Sequence, residues 1–178
     1  LLQEAANRAP ERVALRLAAV DGCAPTAGAA ELACGDLRVT AEAVVFPAQV
    51  TWMMVSAERA RFGAGDQDVT FSLRAGGATW QARQSRDSGN TVALAAWLNG
   101  RTTGGGVRSR AEQAWNSLGG GRGVPVLVNV TIRPEQAGAA LHGTRQRSLL
   151  EALLEAQGTR IAADAANLSA GQRQLAGR

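Results

Sequence analysis

The sequence predicts an α+β fold: a mixed, mainly antiparallel sheet of about five to seven strands, with N- and C-terminal helices packed on one face. Two observations predict it. Apolar and polar residues alternate in several short runs in the middle of the chain, which is the pattern of strands that bury one face. Near both ends of the chain the apolar residues recur instead at helical spacing.

A hairpin within residues 66–98 organises this prediction. The runs on either side of Gly76-Gly77 alternate, and glycines readily adopt the positive φ angles that a tight two-residue hairpin turn requires. After a polar turn, residues 91–98 are more apolar and predict a third strand next to the hairpin. The remaining elements are expected to pack on this small sheet.

The N-terminal part is predicted to form one helix and then two strands. Residues 1–20 can be arranged with most apolar side chains on one face, with an interruption at Pro10, and Gly22 would close this helix. Residues 36–46 alternate and predict a half-buried strand. A second strand is expected from Val50 to Met54.

The C-terminal part predicts one strand and three helices. The strict alternation over residues 124–132 predicts the most regular strand of the chain. Ser-x-x-Glu capping boxes predict helix starts at Ser109 and Ser148. Between them, Pro134 is expected to open a helix that Gly143 closes, because proline is favoured in a first turn and glycine after a last one.

Residues 1–157 are expected to form a single α+β domain, and residues 158–178 an amphipathic helical tail or a partner-binding segment. The tail has few bulky apolar residues, so it would complete its core against a partner helix. The alternative is that the same stripe belongs to the core of the domain. The residues of this candidate interface are Leu149, Leu150, Leu153, Leu154, Ile161 and Leu168.

Cys23 and Cys34 are the only cysteines of the chain, and we expect them to form a disulfide. The bridge would close a loop of about 12 residues and contribute about 2.5 to 3 kcal/mol in the chain-entropy model. Two separate buried thiols are the alternative. Together with the absence of an apolar run long enough to span a bilayer, the expected disulfide predicts a periplasmic or secreted protein.

The chain offers few residues for catalysis, so we do not expect an enzyme. His142 is the only histidine, and the sequence contains neither tyrosine nor lysine. A proton-transfer mechanism would therefore depend on carboxylates such as Asp66 and Asp68. One histidine and two cysteines do not supply the four ligands of a usual zinc site, and no metal or other cofactor is expected.

A glycine-rich segment that enters a predicted helix is the best candidate for a ligand site. Free backbone N–H groups, the positive end of a helix dipole and arginine side chains favour an anion such as phosphate or carboxylate. A nucleic-acid backbone would also fit, but the tryptophans lie at expected core positions rather than as exposed platforms. A surface loop without a ligand is the alternative. The candidate residues are Arg101, Arg108, Ser109, Arg110 and Arg122.

These observations predict a non-enzymatic interaction or scaffold domain of a bacterial envelope assembly, of the secretion or surface-appendage type. Its partners would be other protein subunits, including a second copy of the same chain. The alternative is an anion- or nucleic-acid-binding module that uses residues 101–122. A net charge of +4, with arginines and acids interspersed along the chain, does not by itself favour nucleic acid.

Overall fold

A computed structural model describes residues 9–26, 31–47, 52–61, 68–103, 123–136 and 143–171. Within these ranges, nine strands form one open sheet in which every pairing is antiparallel. The strands are β1 (Glu11–Ala14), β2 (Ala24–Pro25), β3 (Glu31–Cys34), β4 (Leu37–Val45), β5 (Val69–Ala75), β6 (Ala78–Gln84), β7 (Thr91–Leu98), β8 (Arg101–Thr102) and β9 (Pro125–Pro134). The helices are α1 (Trp52–Ala60) and α2 (Gly143–Ser169).

Strand β9 lies at the centre of the sheet, between β4 and β7, and pairs with both along nearly its whole length. The strand order is β2-β3-β4-β9-β7-β6-β5, with β1 paired to the second half of β4 and β8 to the end of β7. The predicted strand at 124–132 is thereby confirmed. Residues 125–130 are all buried, as expected of a strand that is covered on both faces.

The main core lies between one face of the sheet and α2. Val128, Val130 and Ile132 of β9 face Leu150 and Leu154 of the helix across this core. A second, smaller cluster lies on the opposite face, where α1 packs. Its members are Val44, Phe46, Val55 and Leu127. The two helices therefore lie on opposite faces of the sheet. The predicted packing of an N-terminal helix beside the C-terminal one is not confirmed, since α1 is a different segment from the one predicted.

The predicted N-terminal helix is wrong over the residues that can be checked. Glu11–Ala14 forms strand β1, residues 15–20 have no regular structure, and residues 1–8 lie outside the described part of the chain. Val13, Leu15 and Leu17 face the main core. Their spacing of two is the strand period, and it outweighs the helical spacing of a few other apolar residues.

The strand predicted from Val50 to Met54 is wrong over Trp52–Met54, which belongs to helix α1. Val50 and Thr51 lie outside the described residues. Val55 and Glu58, three residues apart on one face of this helix, are both buried. A short apolar alternation fits a helix as well as a strand. Here the packing of Val55 against the sheet favours the helix.

The hairpin prediction is confirmed. Strands β5 and β6 pair in register from Val69 with Gln84 to Ala75 with Ala78. The two glycines of the turn have φ angles of 60° and 78°, the positive values that a primed turn needs. The predicted strands at 36–46 and 91–98 are confirmed as β4 and β7.

Helix α2 begins at Gly143, before the capping box predicted at Ser148, and runs without a break through Gly158 to Ser169. The predicted domain boundary at 157/158 therefore falls inside the helix. The helix expected to open at Pro134 does not begin there, since β9 continues to that residue and the Glu135 N–H donates to the Asp36 carbonyl at 2.7 Å. Residues 137–142 and the helix predicted at 109–118 lie outside the described ranges.

Candidate interaction surface

Cys23 and Cys34 form a disulfide, which confirms the sequence prediction. The bond links the residue just before β2 to the last residue of β3, and the two Cα atoms are 4.2 Å apart. Both cysteines are buried against the main core. The disulfide therefore fixes the short strand β2 to its neighbour β3.

Strand β2 is a poor template for another strand. It is two residues long, and one of them, Pro25, has no N–H group. Both features are common at sheet edges that do not pair with other chains. A partner strand is therefore not expected to pair with β2.

Strand β5 forms the opposite edge, and no described strand pairs with its outer side. Ala75 is paired with Ala78 across the two-residue turn, and in such a hairpin the two residues that flank the turn form a hydrogen-bonded pair. By alternation, Ala75, Leu73 and Phe71 therefore direct their backbone groups towards β6. By alternation, the N–H and C=O groups of Thr70 and Ser72 point outwards, as do those of Arg74. The strand is seven residues long, with no proline and no bulge in its pairing with β6.

The side chains of this edge are partly apolar. Val69 is 43% exposed and is the one exposed large hydrophobic residue within the described ranges. Phe71 is half-buried, and the guanidinium of Arg147 lies 4.4 Å from the centre of its ring. Arg147 also donates from Nε to Glu151 at 3.1 Å. The sequence predicted strand β5, but its alternation indicates only that one face is polar, since the interior strand β4 shows the same alternation.

The hairpin is held in position by contact between two glycines. A Cβ atom added at Gly76 would overlap the carbonyl of Gly158 in α2 and would lie 2.6 Å from the Thr159 backbone nitrogen. A Cβ added at Gly158 would in turn meet the Gly76 nitrogen at 3.3 Å. This close approach gives a physical reason for the glycine inside α2, at the position where the predicted C-terminal tail begins.

Two buried glutamines of α2 bind other segments of the backbone. Gln157 accepts from the Ala18 N–H and donates to the Ala18 carbonyl, both at 2.7 Å. Gln146 donates to the Gly89 carbonyl at 2.8 Å and accepts from the hydroxyl of the fully buried Thr91. Both side chains are satisfied, so we interpret them as connections between α2 and the chain that surrounds it.

A polar network covers part of the opposite face of the sheet. The guanidinium of Arg12 binds both Glu42 and the buried Glu58 of α1. Glu42 also accepts from the Asn129 amide at 3.1 Å. Burial opposes the charge of Arg12, but its two carboxylate partners outweigh this effect and raise the pKa of Arg12. The network therefore fastens β1 and α1 to the sheet.

The anion-site prediction falls mostly outside the described residues. Arg101 lies on β8 and is exposed. Arg108, Ser109, Arg110 and Arg122 lie in the range 104–122, which the structure does not describe. The same is true of Asp66 and His142, whereas Asp68 directly precedes β5. The anion site stays a prediction.

The candidate interface residues of the C-terminal stripe all belong to α2, and most of them face the sheet. Leu149 is half-buried. The buried members, all in the main core, are Leu150, Leu153, Leu154, Ile161 and Leu168. Residues on both sides of Gly158 thus contact the same core and attach the helix to the sheet.

Among the residues that the structure describes, no three side chains of histidine, cysteine, aspartate or glutamate come together in a way that could hold a metal ion. No helix in these ranges is both long and apolar enough to cross a membrane. No protein-family model, curated protein or solved structure was found to match the chain.

Proposed function

We propose that this chain is a non-enzymatic protein-interaction domain of a bacterial envelope assembly, periplasmic or secreted, of the secretion or surface-appendage type. The observation that carries this proposal is the open edge of the sheet at β5, which offers a regular row of backbone donors and acceptors. An exposed edge of this kind is a template for a strand from another chain.

The disulfide supports the compartment. Disulfides form and persist outside the cytoplasm and are rare in cytoplasmic proteins, where thiols are kept reduced. Here the bond joins two buried cysteines beside β2, which suits a structural role rather than a redox-active one.

The polar groups support an interaction domain over an enzyme. The buried carboxylate of Glu58 is paired with Arg12 and Arg61, and the buried amides of Gln146 and Gln157 are hydrogen-bonded. Such satisfied groups stabilise the fold, whereas catalytic groups need open access to a substrate.

The test is crosslinking in the native cell. A photo-crosslinking residue replaces Ser72, whose backbone faces outwards on β5, and in a matched control replaces Arg86 in the exposed turn after β6. We expect crosslinks to an envelope protein, or to a second copy of the chain, from position 72 only. In the same cells, both cysteines should resist alkylation until they are reduced. Reduced thiols in a cytoplasmic chain, or equal crosslinking from both positions, would contradict the proposal.

A further inference from the structure

We infer that β5 pairs with β5 of a second copy of this chain, antiparallel, so that two sheets join into one. This inference rests on the proposed function and names its partner. A twofold interface requires the same patch on both molecules to be complementary to itself. The β5 edge meets that requirement in its backbone, its charges and its apolar side chains.

The backbone permits the pairing. The outward N–H and C=O groups belong to Thr70, Ser72 and Arg74, which differ by two in number. In an antiparallel pair centred on Phe71, Thr70 faces Ser72 of the other copy, and both residues direct their groups across the new interface. Every hydrogen bond within the β5–β6 hairpin is kept, because those bonds use the other set of residues.

The side chains favour this register. With Phe71 opposite its own copy, Val69 faces Leu73, so that the exposed hydrophobic residue gains an apolar neighbour. Arg74 then faces Asp68, which directly precedes β5 and lies on the same face by alternation. Opposite charges and apolar pairs placed across two strands stabilise a sheet.

The neighbouring register is less complementary. A pair centred on Ser72 would set Phe71 opposite Leu73 and Val69 opposite Ala75, so apolar residues still meet in that register. It would set Arg74 opposite Thr70, however, and the match of opposite charges with Asp68 would be lost. The register centred on Phe71 is therefore the one we propose. Two short strands form a small interface, so we expect a Kd of about 1 to 100 µM.

Sedimentation velocity over about 1 to 500 µM of the oxidised chain measures the association. Arg74→Asp sets two pairs of like charges across the interface and should weaken dimerisation by about ten- to fiftyfold. Asp68→Arg should act in the same direction. The double variant restores opposite charges and should return the Kd to within about threefold of the original. Arg86→Asp makes the same charge change away from the edge and should have no effect.

A proline tests the backbone independently. The Ser72 N–H points outwards, so Ser72→Pro removes a donor of the new interface without breaking the β5–β6 ladder. Ser72→Ala is the matched control, because both variants lose the hydroxyl bond to Gln81 and only proline loses the N–H. We expect the proline variant to be monomeric at every concentration and the alanine variant to dimerise. Circular dichroism and thermal unfolding show that each variant is folded.

Amide exchange gives the register residue by residue. At high protein concentration the N–H groups of Thr70, Ser72 and Arg74 should become protected, while those of Phe71 and Leu73 should not change. A chain that is monomeric at 500 µM, about the upper limit of the series, overturns the inference. So does a dimer indifferent to Ser72→Pro, or a double charge variant no stronger than Arg74→Asp. A monomer whose position 72 crosslinks to another envelope protein would overturn this inference and leave the proposed function standing.

Discussion

At one edge of the sheet, β2 has two residues, one of them Pro25, and a disulfide anchors its start to β3. At the other edge, β5 has seven residues in an uninterrupted ladder, with one charged side chain and an exposed valine. Natural sheets avoid association by shortening, charging or covering their edges. Among the described residues, β2 therefore offers little backbone for a further strand, whereas β5 offers a regular row of donors and acceptors.

The same turn of α2 holds a segment near each edge. Gln157 binds the backbone of Ala18, in the segment that leads to β2, and the next residue, Gly158, contacts the tip of the β5–β6 hairpin. The attachment at Gln157 consists of two hydrogen bonds, and the attachment at Gly158 consists of close packing between two backbones. Separate substitutions can therefore disturb each edge alone.

The largest effect is expected from Gly76→Ala. The new Cβ would overlap Gly158, and the φ angle of 60° is strained for alanine, so we expect the free energy of unfolding to fall by about 3 kcal/mol or more. Gly77→Ala is the matched control, since its φ is also positive but its Cβ would meet nothing within 4 Å; it should cost about 1 to 2 kcal/mol. Urea unfolding measures both. Equal losses would mean that the glycine contact does not hold the hairpin.

Removing the disulfide comes next in size. The double variant Cys23→Ala/Cys34→Ala should lower the free energy of unfolding by about 2.5 to 3 kcal/mol, because the unfolded chain regains the freedom of the closed loop. Amide exchange should rise most in β2 and β3 and least in the β5–β6 hairpin. Equal acceleration in both places would show that the edges are not independent.

The elements that the sequence predicted correctly are those whose pattern is long and local. The alternation in β9 predicts a strand, and the double glycine between β5 and β6 predicts a tight turn. Both predictions are confirmed. The disulfide followed from there being only two cysteines. Strands β2 and β8, with two residues each, are too short to show any period, so nine described strands were predicted as about five to seven.

The errors share a cause, which is that distant contacts decide local structure. Gly158 begins the tail that the sequence predicts as separate, but it lies inside α2, where its backbone packs against Gly76. Leu15 and Leu17 repeat at the strand spacing, but neighbouring apolar residues also fit a helix. Packing in the main core and the bond from the Leu15 N–H to the Ala41 carbonyl favour the extended segment. The open edge at β5 could not be predicted, since strand order depends on which strands pair.

Gln157→Ala should disturb the β2 side with a smaller effect. It leaves the Ala18 N–H and carbonyl without their protein partner, and water can replace part of the loss, so we expect a cost of about 1 to 2 kcal/mol. Amide exchange should rise in residues 15–20. Gln146→Ala is the control on the same helix, because it should raise exchange around Gly89 and Thr91 instead. A rise in the same segment for both variants would contradict separate attachments.

The smallest effect is expected from Asp164→Asn in α2, a change that touches neither attachment. Burial raises the pKa of Asp164, and the nearby charge of Arg160 opposes that rise only in part. The folded state therefore binds the proton more tightly than the unfolded state, and the charged form costs stability once the pH exceeds the unfolded pKa. Asparagine should stabilise the chain at pH 7 by less than about 1 kcal/mol, since the group is partly exposed.

The pH dependence of the Asp164→Asn effect shows whether the charge of Asp164 lowers the free energy of unfolding. The gain from Asp164→Asn should shrink as the pH falls through the folded pKa and disappear below the unfolded one, where the native carboxyl is also neutral. Urea unfolding at several pH values measures it. Because α2 supports segments near both edges, amide exchange should slow by the same factor in β3 and in β6. A gain confined to one edge would show that the helix stabilises the two sides separately.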